Sequence, residues 1–404
     1  MKKLLFLLCL LLALTCLLCA CDESGSKSKG NAADDDDVHA HVWGEWSMTL
    51  AANGCADGAE ARRCDCGEQE TRAVVAAVDH TYGTDNVCGL CGYGVECTVG
   101  LGYTRVGDTY TVTGRGTSKA TALVIPAYYE GLPVVAVEDS AFAGYSDIVS
   151  VTVLSNVTRI GKLAFFNCSA LQSVWLCDDV TEIGNYAFWD CANLQDVIFR
   201  GDSELQTLGT YAFYGCERMK SFCVPAGVGA IGDFAFGNCR HLESVTFEEG
   251  SVLQSVGKHA FSRCSGLTQI VLPDGVTAIG DNAFYVCKGL TTIRIPAGVI
   301  SLGEWAFGDC TGLRTVTFAQ GSVMESIGTY AFFRCSNMIS VELPSTVTRI
   351  GKYAFSGCNA LQEVKCDTTD WWLAENKDAT AGVSVVLDPI ALSQTYTEKF
   401  WKRS

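Results

Sequence analysis

Apolar and polar residues follow a repeating pattern along residues 141–366, with a period of 23 or 25 residues. An Ala-Phe pair marks each repeat and occurs ten times between Phe142 and Phe355. After each pair, apolar residues such as Val174 and Leu176 alternate with outward ones, which predicts a short strand with one buried face. A period of this length is typical of a solenoid, in which each repeat buries its apolar side against its neighbours.

The rest of each repeat predicts a turn and a short helical segment. Val180 and Ile183 form a second apolar pair, and Gly184 follows them where we expect the backbone to turn sharply. The Ala-Phe-x-x-Cys segment predicts a 3₁₀ helix or one helical turn. The sequence therefore predicts an α/β-type repeat solenoid of leucine-rich repeats, with short parallel strands joined by 3₁₀ or short helical turns.

The repeated IGxxAFxxC core and the segment TALVIPAYYEGLPVVAVEDSAF ahead of it resemble the BspA-like leucine-rich repeats of bacterial surface proteins. The resemblance implies an N-terminal cap at 97–140, repeats at 141–366 and an aromatic C-terminal cap at 367–404. Trp371 and Trp401 belong to that last segment, and such caps cover the open end of a solenoid. The resemblance also implies a cell-surface or secreted protein, with adhesins among its relatives.

A cysteine lies three residues after nine of the ten phenylalanines. We interpret these cysteines as a column of buried reduced thiols that act as small apolar residues, because nine parallel side chains cannot all form disulfides. Serine in place of Cys264 is then expected to bury an unpaired hydroxyl and to cost more stability than alanine. The nine residues, called here the thiol ladder, are Cys168, Cys191, Cys216, Cys239, Cys264, Cys287, Cys310, Cys335 and Cys358.

The chain begins with two lysines and an apolar run, which is the order of an export signal. Leu18-Cys19-Ala20-Cys21 resembles the bacterial lipobox, which implies a signal peptide at 1–20 and acylation of Cys21. An ordinary cleaved signal and an uncleaved membrane anchor are the alternatives. Residues 21–37 contain no aromatic residue and predict a lipidated, disordered tether.

Residues 38–96 differ in composition and predict a small module rich in cysteine and histidine. Cys88 and Cys91 form a CxxCG turn like that of zinc ribbons, while Cys64 and Cys66 form a pair one residue shorter. The module also resembles one found in extracellular proteins of gut bacteria. We expect these four cysteines to hold a structural zinc, with disulfides as the competing interpretation because exported cysteines tend to oxidise. The solenoid pattern implies no cofactor.

The formal net charge of −16 disfavours nucleic acid as a partner, because phosphate binding needs a basic face. The sequence contains no GxSxG, HExxH or phosphate-binding loop, and we expect no enzymatic activity.

Aromatic and apolar residues on the early repeats form a candidate ligand-binding cluster of Trp175, Trp189, Ile198 and Tyr214. The alternative interpretation is that these rings stack between repeats and shield the turns. The expected function is that of a membrane-anchored extracellular binding or adhesion protein whose solenoid presents a face to a protein or glycan ligand. The alternative function is that of a structural envelope protein or a surface glycan-capture accessory protein, without catalysis.

Overall fold

The computed structural model describes residues 47–50, 58–63, 69–74, 96–366, 371–374, 383–385, 388–395 and 397–403. The predicted signal peptide and tether, with Cys21, lie outside the described residues. So do the four candidate zinc ligands, Cys64, Cys66, Cys88 and Cys91. None of the helices in the described part of the chain has the length and hydropathy needed to cross a bilayer.

The first strands are β1 (Ser47–Leu50), β2 (Gly58–Arg63) and β3 (Gln69–Val74), which form a sheet in that order with β1 antiparallel to β2. The described residues from 96 onwards form the solenoid and its two caps.

The solenoid consists of strands of two lengths that alternate along the chain. The N-terminal cap contains β4 (Gly102–Val106), β5 (Thr109–Gly114), β6 (Ala122–Ile125), β7 (Tyr128–Tyr129) and β8 (Leu132–Val137). The repeats contain β9 (Ser150–Val153), β10 (Arg159–Ile160), β11 (Ser173–Leu176), β12 (Glu182–Ile183), β13 (Asp196–Phe199), β14 (Thr207–Leu208), β15 (Ser221–Val224), β16 (Ala230–Ile231), β17 (Ser244–Phe247), β18 (Ser255–Val256), β19 (Gln269–Ile270), β20 (Ala278–Ile279), β21 (Thr292–Ile295), β22 (Ser301–Leu302), β23 (Thr315–Phe318), β24 (Ser326–Ile327), β25 (Ser340–Leu343), β26 (Arg349–Ile350) and β27 (Glu363–Cys366). The C-terminal cap contains β28 (Trp371–Ala374), β29 (Val383–Val385), a π-helical turn (Ala391–Thr395) and β30 (Phe400–Arg403).

The two strand lengths form two separate faces. The two-residue strands β10 to β26 join β8 in one continuous parallel sheet, with each strand paired to its equivalent one repeat later. The strands of the other set form three parallel sheets, of order β13-β11-β9-β6, β15-β17-β19 and β21-β23-β25-β27. On both faces, paired strands place equivalent residues of successive repeats opposite each other, as with Val174 and Val197.

The three longer repeats coincide with one of the two interruptions of the second face and with two shortened pairings, whereas the interruption between β19 and β21 falls in a repeat of 23 residues. Each has a glycine of positive φ soon after its strand: Gly201 after β13, Gly250 after β17 and Gly321 after β23. No pairing joins β13 to β15, and only two residue pairs join β17 to β19 and β23 to β25. The inserted residues displace the chain before the next strand and so shorten its pairing.

The Ala-Phe segment is a run of β-turns and not the 3₁₀ or helical turn that the sequence predicts. Ala164 N–H donates to the carbonyl of Gly161 within its own turn (3.3 Å), whereas Phe165 N–H donates to the carbonyl of Ala187 in the next repeat (2.8 Å). Leu163 has a φ of 58°, which the third residue of a type II turn requires. Alternate N–H groups therefore link successive repeats, and a 3₁₀ helix would keep them inside its own segment.

Stacked phenylalanines form the centre of the core. The ten rings from Phe142 to Phe355 are buried. Their centroids are separated by 5.1 Å at the shortest, between Phe142 and Phe165, and by 5.6 Å at the longest, between Phe213 and Phe236. One stack of rings thus runs through all the repeats and gives each of them the same contact with its neighbours.

Both ends of the parallel sheet are covered. At the N-terminal end, β4 and β5 form an antiparallel hairpin, and β5 pairs with β8. At the C-terminal end, β30 pairs antiparallel with β26 and β28 pairs with β30, with the indoles of Trp371 and Trp401 buried. Antiparallel pairing at each end satisfies backbone groups that an open parallel edge would expose.

Candidate functional site

All nine cysteines of the thiol ladder are free thiols without solvent exposure. Each thiol donates a hydrogen bond to the carbonyl of the phenylalanine in the preceding repeat. The Cys264 Sγ lies 3.0 Å from the Phe236 carbonyl oxygen, and the nine distances range from 3.0 to 3.3 Å. The thiols therefore link the repeats as well as fill space between them.

The environment of the ladder opposes thiolate chemistry. Burial raises the pKa of Cys239 and of Cys310 to about 12, and it raises the pKa of Cys264 well above its ordinary value. A nucleophilic or metal-binding cysteine needs a lowered pKa, which a nearby cation or base supplies. Among the residues that the structure describes, no cluster of three potential metal ligands occurs. Burial and the raised pKa values favour the structural role predicted for the ladder.

The hydrogen bond from Cys264 changes the expected order of two substitutions. A serine hydroxyl at this position meets the Phe236 carbonyl as its acceptor, so it is not the unpaired group that the sequence suggests. Cys264→Ala removes the bond and leaves a small void. We expect alanine to cost about 1 to 2 kcal/mol and serine less than that, measured by urea denaturation. A serine variant less stable than the alanine variant would show that the hydroxyl does not form this hydrogen bond and is buried unpaired.

A second set of stacked rings lies outside the core, at the residue before seven of the ten Ala-Phe pairs. Tyr186 stacks on Tyr211 at 5.0 Å, Tyr211 on Phe234 at 4.4 Å, and Phe234 on His259 at 4.3 Å. A second group runs from Trp305 through Tyr330 to Tyr353. These rings are half-buried, and their faces are covered by one another.

The structure divides the four candidate ligand-binding residues into two pairs. Trp189 and Tyr214 belong to the turn side, where their rings contact each other edge to face at 5.7 Å. Trp189 is also stacked against Tyr186 at 5.0 Å and Tyr211 at 5.2 Å. Contacts on several sides are what the packing interpretation predicts for Trp189 and Tyr214.

Trp175 and Ile198 lie on the four-residue strands and face outwards. They are paired residues of β11 and β13, so their side chains are neighbours on one surface, and both are half-buried. The Arg200 guanidinium lies over the Trp175 indole, 5.0 Å from the ring centroid. Sequence reasoning missed Arg200; the only signal was its place just after the strand in the first longer repeat.

These observations define a leucine-rich repeat solenoid with a thiol-linked core and an outward strand face. The profile described as BspA type Leucine rich repeat region matches residues 135–253 and 254–369, in six copies. The chain belongs to this family. A comparison with curated proteins gives no match.

Solved structures of bacterial leucine-rich repeat proteins are similar to this chain. One from Bacteroides ovatus is 26% identical, with 68% of this chain and 76% of that chain covered and a TM-score of 0.50. A leucine rich cell surface protein from Faecalibacterium prausnitzii is 24% identical, with 68% and 94% covered and a TM-score of 0.39. The pneumococcal vaccine antigen PcpA is 17% identical, with 71% and 82% covered and a TM-score of 0.38. The Bacteroides ovatus structure confirms the leucine-rich repeat fold predicted from the sequence.

Proposed function

We propose that this protein is a membrane-anchored extracellular binding protein that captures a protein ligand, without catalysis, on the outward face of its four-residue strands. The observation that carries the proposal is the surface formed by Trp175, Ile198 and Arg200, called here the strand patch. Membership of the BspA-type family supports a binding role. A solenoid suits such a role because its repeats give a long continuous face.

The composition of the strand patch favours protein recognition. Tryptophan and arginine are the residue types most enriched at the centres of protein interfaces. Arg200 holds the Trp175 indole in place, which reduces the side-chain entropy lost on binding. Farther along the same column the outward residues are mostly polar or charged, as at Thr317 and Glu342, with the exposed Val271 as an apolar exception. The patch is therefore distinct from the surface around it.

Trp175→Ala tests the proposal. We expect it to weaken capture of a ligand, found by screening the chain against an array of host matrix proteins and bacterial surface proteins, by about 2 kcal/mol or more. The melting temperature should change little, because the indole is outward and half-buried. Binding is measured by biolayer interferometry.

Thr317→Ala is the matched control, since Thr317 occupies the same column in a later repeat. It should leave affinity unchanged. Equal affinity of the Trp175→Ala variant and the parent chain, with both folded, would remove the strand patch as the binding site. The absence of any captured ligand would instead favour the alternative of a structural envelope protein.

The membrane anchor is proposed from the sequence. Cys21 follows a small residue at the end of the apolar run, as acylation requires. Cys21→Ser is expected to abolish incorporation of labelled palmitate and to release the protein from the membrane fraction. Cys19→Ser is the control and should remain acylated. Palmitate incorporation that survives in the Cys21→Ser variant would contradict a lipid anchor at this residue.

A structural zinc held by Cys64, Cys66, Cys88 and Cys91 is likewise proposed from the sequence. Two cysteine pairs, one of them followed by glycine in a CxxCG turn, provide the four sulfur ligands that a closed tetrahedral site needs.

A further inference from the structure

The corner of each repeat that leads from the ladder cysteine to the next four-residue strand has an unusual charge. Six successive corners, at 215–220, 238–243, 263–268, 286–291, 309–314 and 334–339, contain three acidic residues, whereas the whole chain has 45 acidic and 29 basic residues. Together these six segments are called here the basic corner. Its seven exposed basic residues are Arg218, Lys220, Arg240, Arg263, Lys288, Arg314 and Arg334.

The basic corner is continuous along the solenoid. Gly266 N–H donates to the Arg240 carbonyl (2.9 Å), and Gly289 N–H donates to the Ser265 carbonyl (3.0 Å), so successive corners are in contact. Each corner contributes at least one cation. Because neighbouring parallel strands are about 4.7 to 4.9 Å apart, successive corners present one or two cations at about that interval along the axis, at positions within the corner that differ from repeat to repeat.

The cations of the basic corner are available to a ligand. Arg240 lies 3.7 Å from the Glu217 carboxylate, and both side chains are substantially exposed. In the described part of the chain, none of the other six has a carboxylate within ion-pair distance. Apart from the three acidic residues and His241, many residues beside the cations are small and uncharged, such as Ser265, Gly289 and Thr311.

We propose that the basic corner binds a linear acidic polysaccharide, with its carboxylate or sulfate groups against the row of cations. An extended pyranose chain rises by about one strand spacing per sugar, so its anionic groups can meet successive repeats. Serine, threonine and asparagine side chains beside the cations can hydrogen-bond to sugar hydroxyls. The site lies in later repeats than the strand patch and does not depend on it.

The surroundings of the corner favour a glycan over a single-stranded nucleic acid. Proteins that bind single strands place aromatic rings where successive bases can stack. On the turn side, some rings have their faces covered by one another, as between Tyr211 and Phe234 at 4.4 Å, whereas Tyr285 contacts Trp305 edge to face. Arg334 is itself placed over the Phe333 ring, 5.0 Å from the centroid. The six segments of the basic corner themselves contain no phenylalanine, tyrosine or tryptophan, so their row of cations matches a charged, hydroxyl-rich chain.

A fourfold variant, Arg263→Asn, Lys288→Gln, Arg314→Gln and Arg334→Asn, tests the site. Asparagine is used at 263 and 334 because φ is positive there, at 64° and 54°, and asparagine tolerates that conformation. The full chain is titrated with chondroitin sulfate, polygalacturonate and a poly-dT oligonucleotide. We expect the variant to bind both glycans at least about tenfold more weakly and to reduce the slope of log K against log salt by up to about 3.

The matched control removes four exposed cations elsewhere, with Arg105→Gln, Lys119→Gln, Lys162→Gln and Arg349→Gln. It should keep the glycan affinity of the parent. An equal loss of glycan affinity in both variants would show that the effect depends only on net charge, and it would overturn the proposal. The proposal would also be overturned if neither glycan bound at physiological salt. Tighter binding of poly-dT than of the glycans would overturn it as well and would assign the corner to nucleic acid. Binding of polygalacturonate as well as chondroitin sulfate would show that carboxylates suffice.

Discussion

Replacing Phe236 by alanine is expected to lower the free energy of unfolding by roughly 3 to 5 kcal/mol. The ring is fully buried in the phenylalanine stack, 5.6 Å from the centroid of Phe213 and 5.4 Å from that of Phe261. Phe222 also contacts it at 4.8 Å. Because each repeat contacts only its neighbours, the cavity weakens the coupling between the two halves of the solenoid. Urea denaturation followed by circular dichroism measures the loss.

Phe234→Asn is the matched control for Phe236→Ala. Phe234 lies two residues earlier in the outer ring stack, is half-buried and has a φ of 57°. Asparagine loses the stacking on Tyr211 and His259 but tolerates the left-handed backbone, so we expect a net cost below about 1 kcal/mol. Similar losses in the two variants would show that the outer stack contributes to stability as much as the core.

The sequence predicts the repeat and its inward columns well, because each repeat presents the same chemical pattern again. The phenylalanine and the apolar pair are fixed by burial, which composition and period reveal directly. Family membership and the leucine-rich repeat solenoid, predicted from that pattern, are both confirmed.

The conformation of the turns could not be predicted, because the sequence assigns the unusual backbone to the wrong residues. Glycine suggests a positive φ, yet φ is not positive at Gly232 or at the equivalent glycines of the other repeats. Positive φ occurs instead at bulky residues such as Tyr211 (57°) and Trp305 (57°). Single-residue preferences disfavour this conformation. Hydrogen bonds to the next repeat and ring stacking, which involve residues 22 to 25 positions away, hold it in place.

The candidate site was predicted only in part for a related reason. Trp175 and Trp189 look alike in the sequence, but one is outward beside Ile198 and the other is packed among stacked rings. The net charge of −16 likewise concealed the basic corner, because a sum over the chain carries no information on position. Both distinctions depend on which columns of the repeat meet solvent.

Gly303→Ala is expected to destabilise the solenoid by roughly 1 to 3 kcal/mol although it adds a single methyl group. A Cβ at this position would lie 2.5 Å from the backbone nitrogen of Asp281 and 2.5 Å from the carbonyl carbon of Gly280. Both atoms belong to the backbone of the preceding repeat and cannot move aside as a side chain could. Two repeats would therefore have to separate, which strains the hydrogen bonds between them. Thermal and urea denaturation measure the effect.

Gly229→Ala separates this close approach from the general cost of replacing glycine. A Cβ at Gly229 would meet no atom within 4 Å, and its φ is not positive. Alanine there should be neutral or should stabilise the chain by up to about 1 kcal/mol, because it restricts the unfolded state. If Gly303→Ala were as well tolerated as Gly229→Ala, the glycine column would not be required by the spacing of the repeats. A large loss at Gly303 alone would show that contact between backbones, and not turn conformation, requires glycine in each repeat.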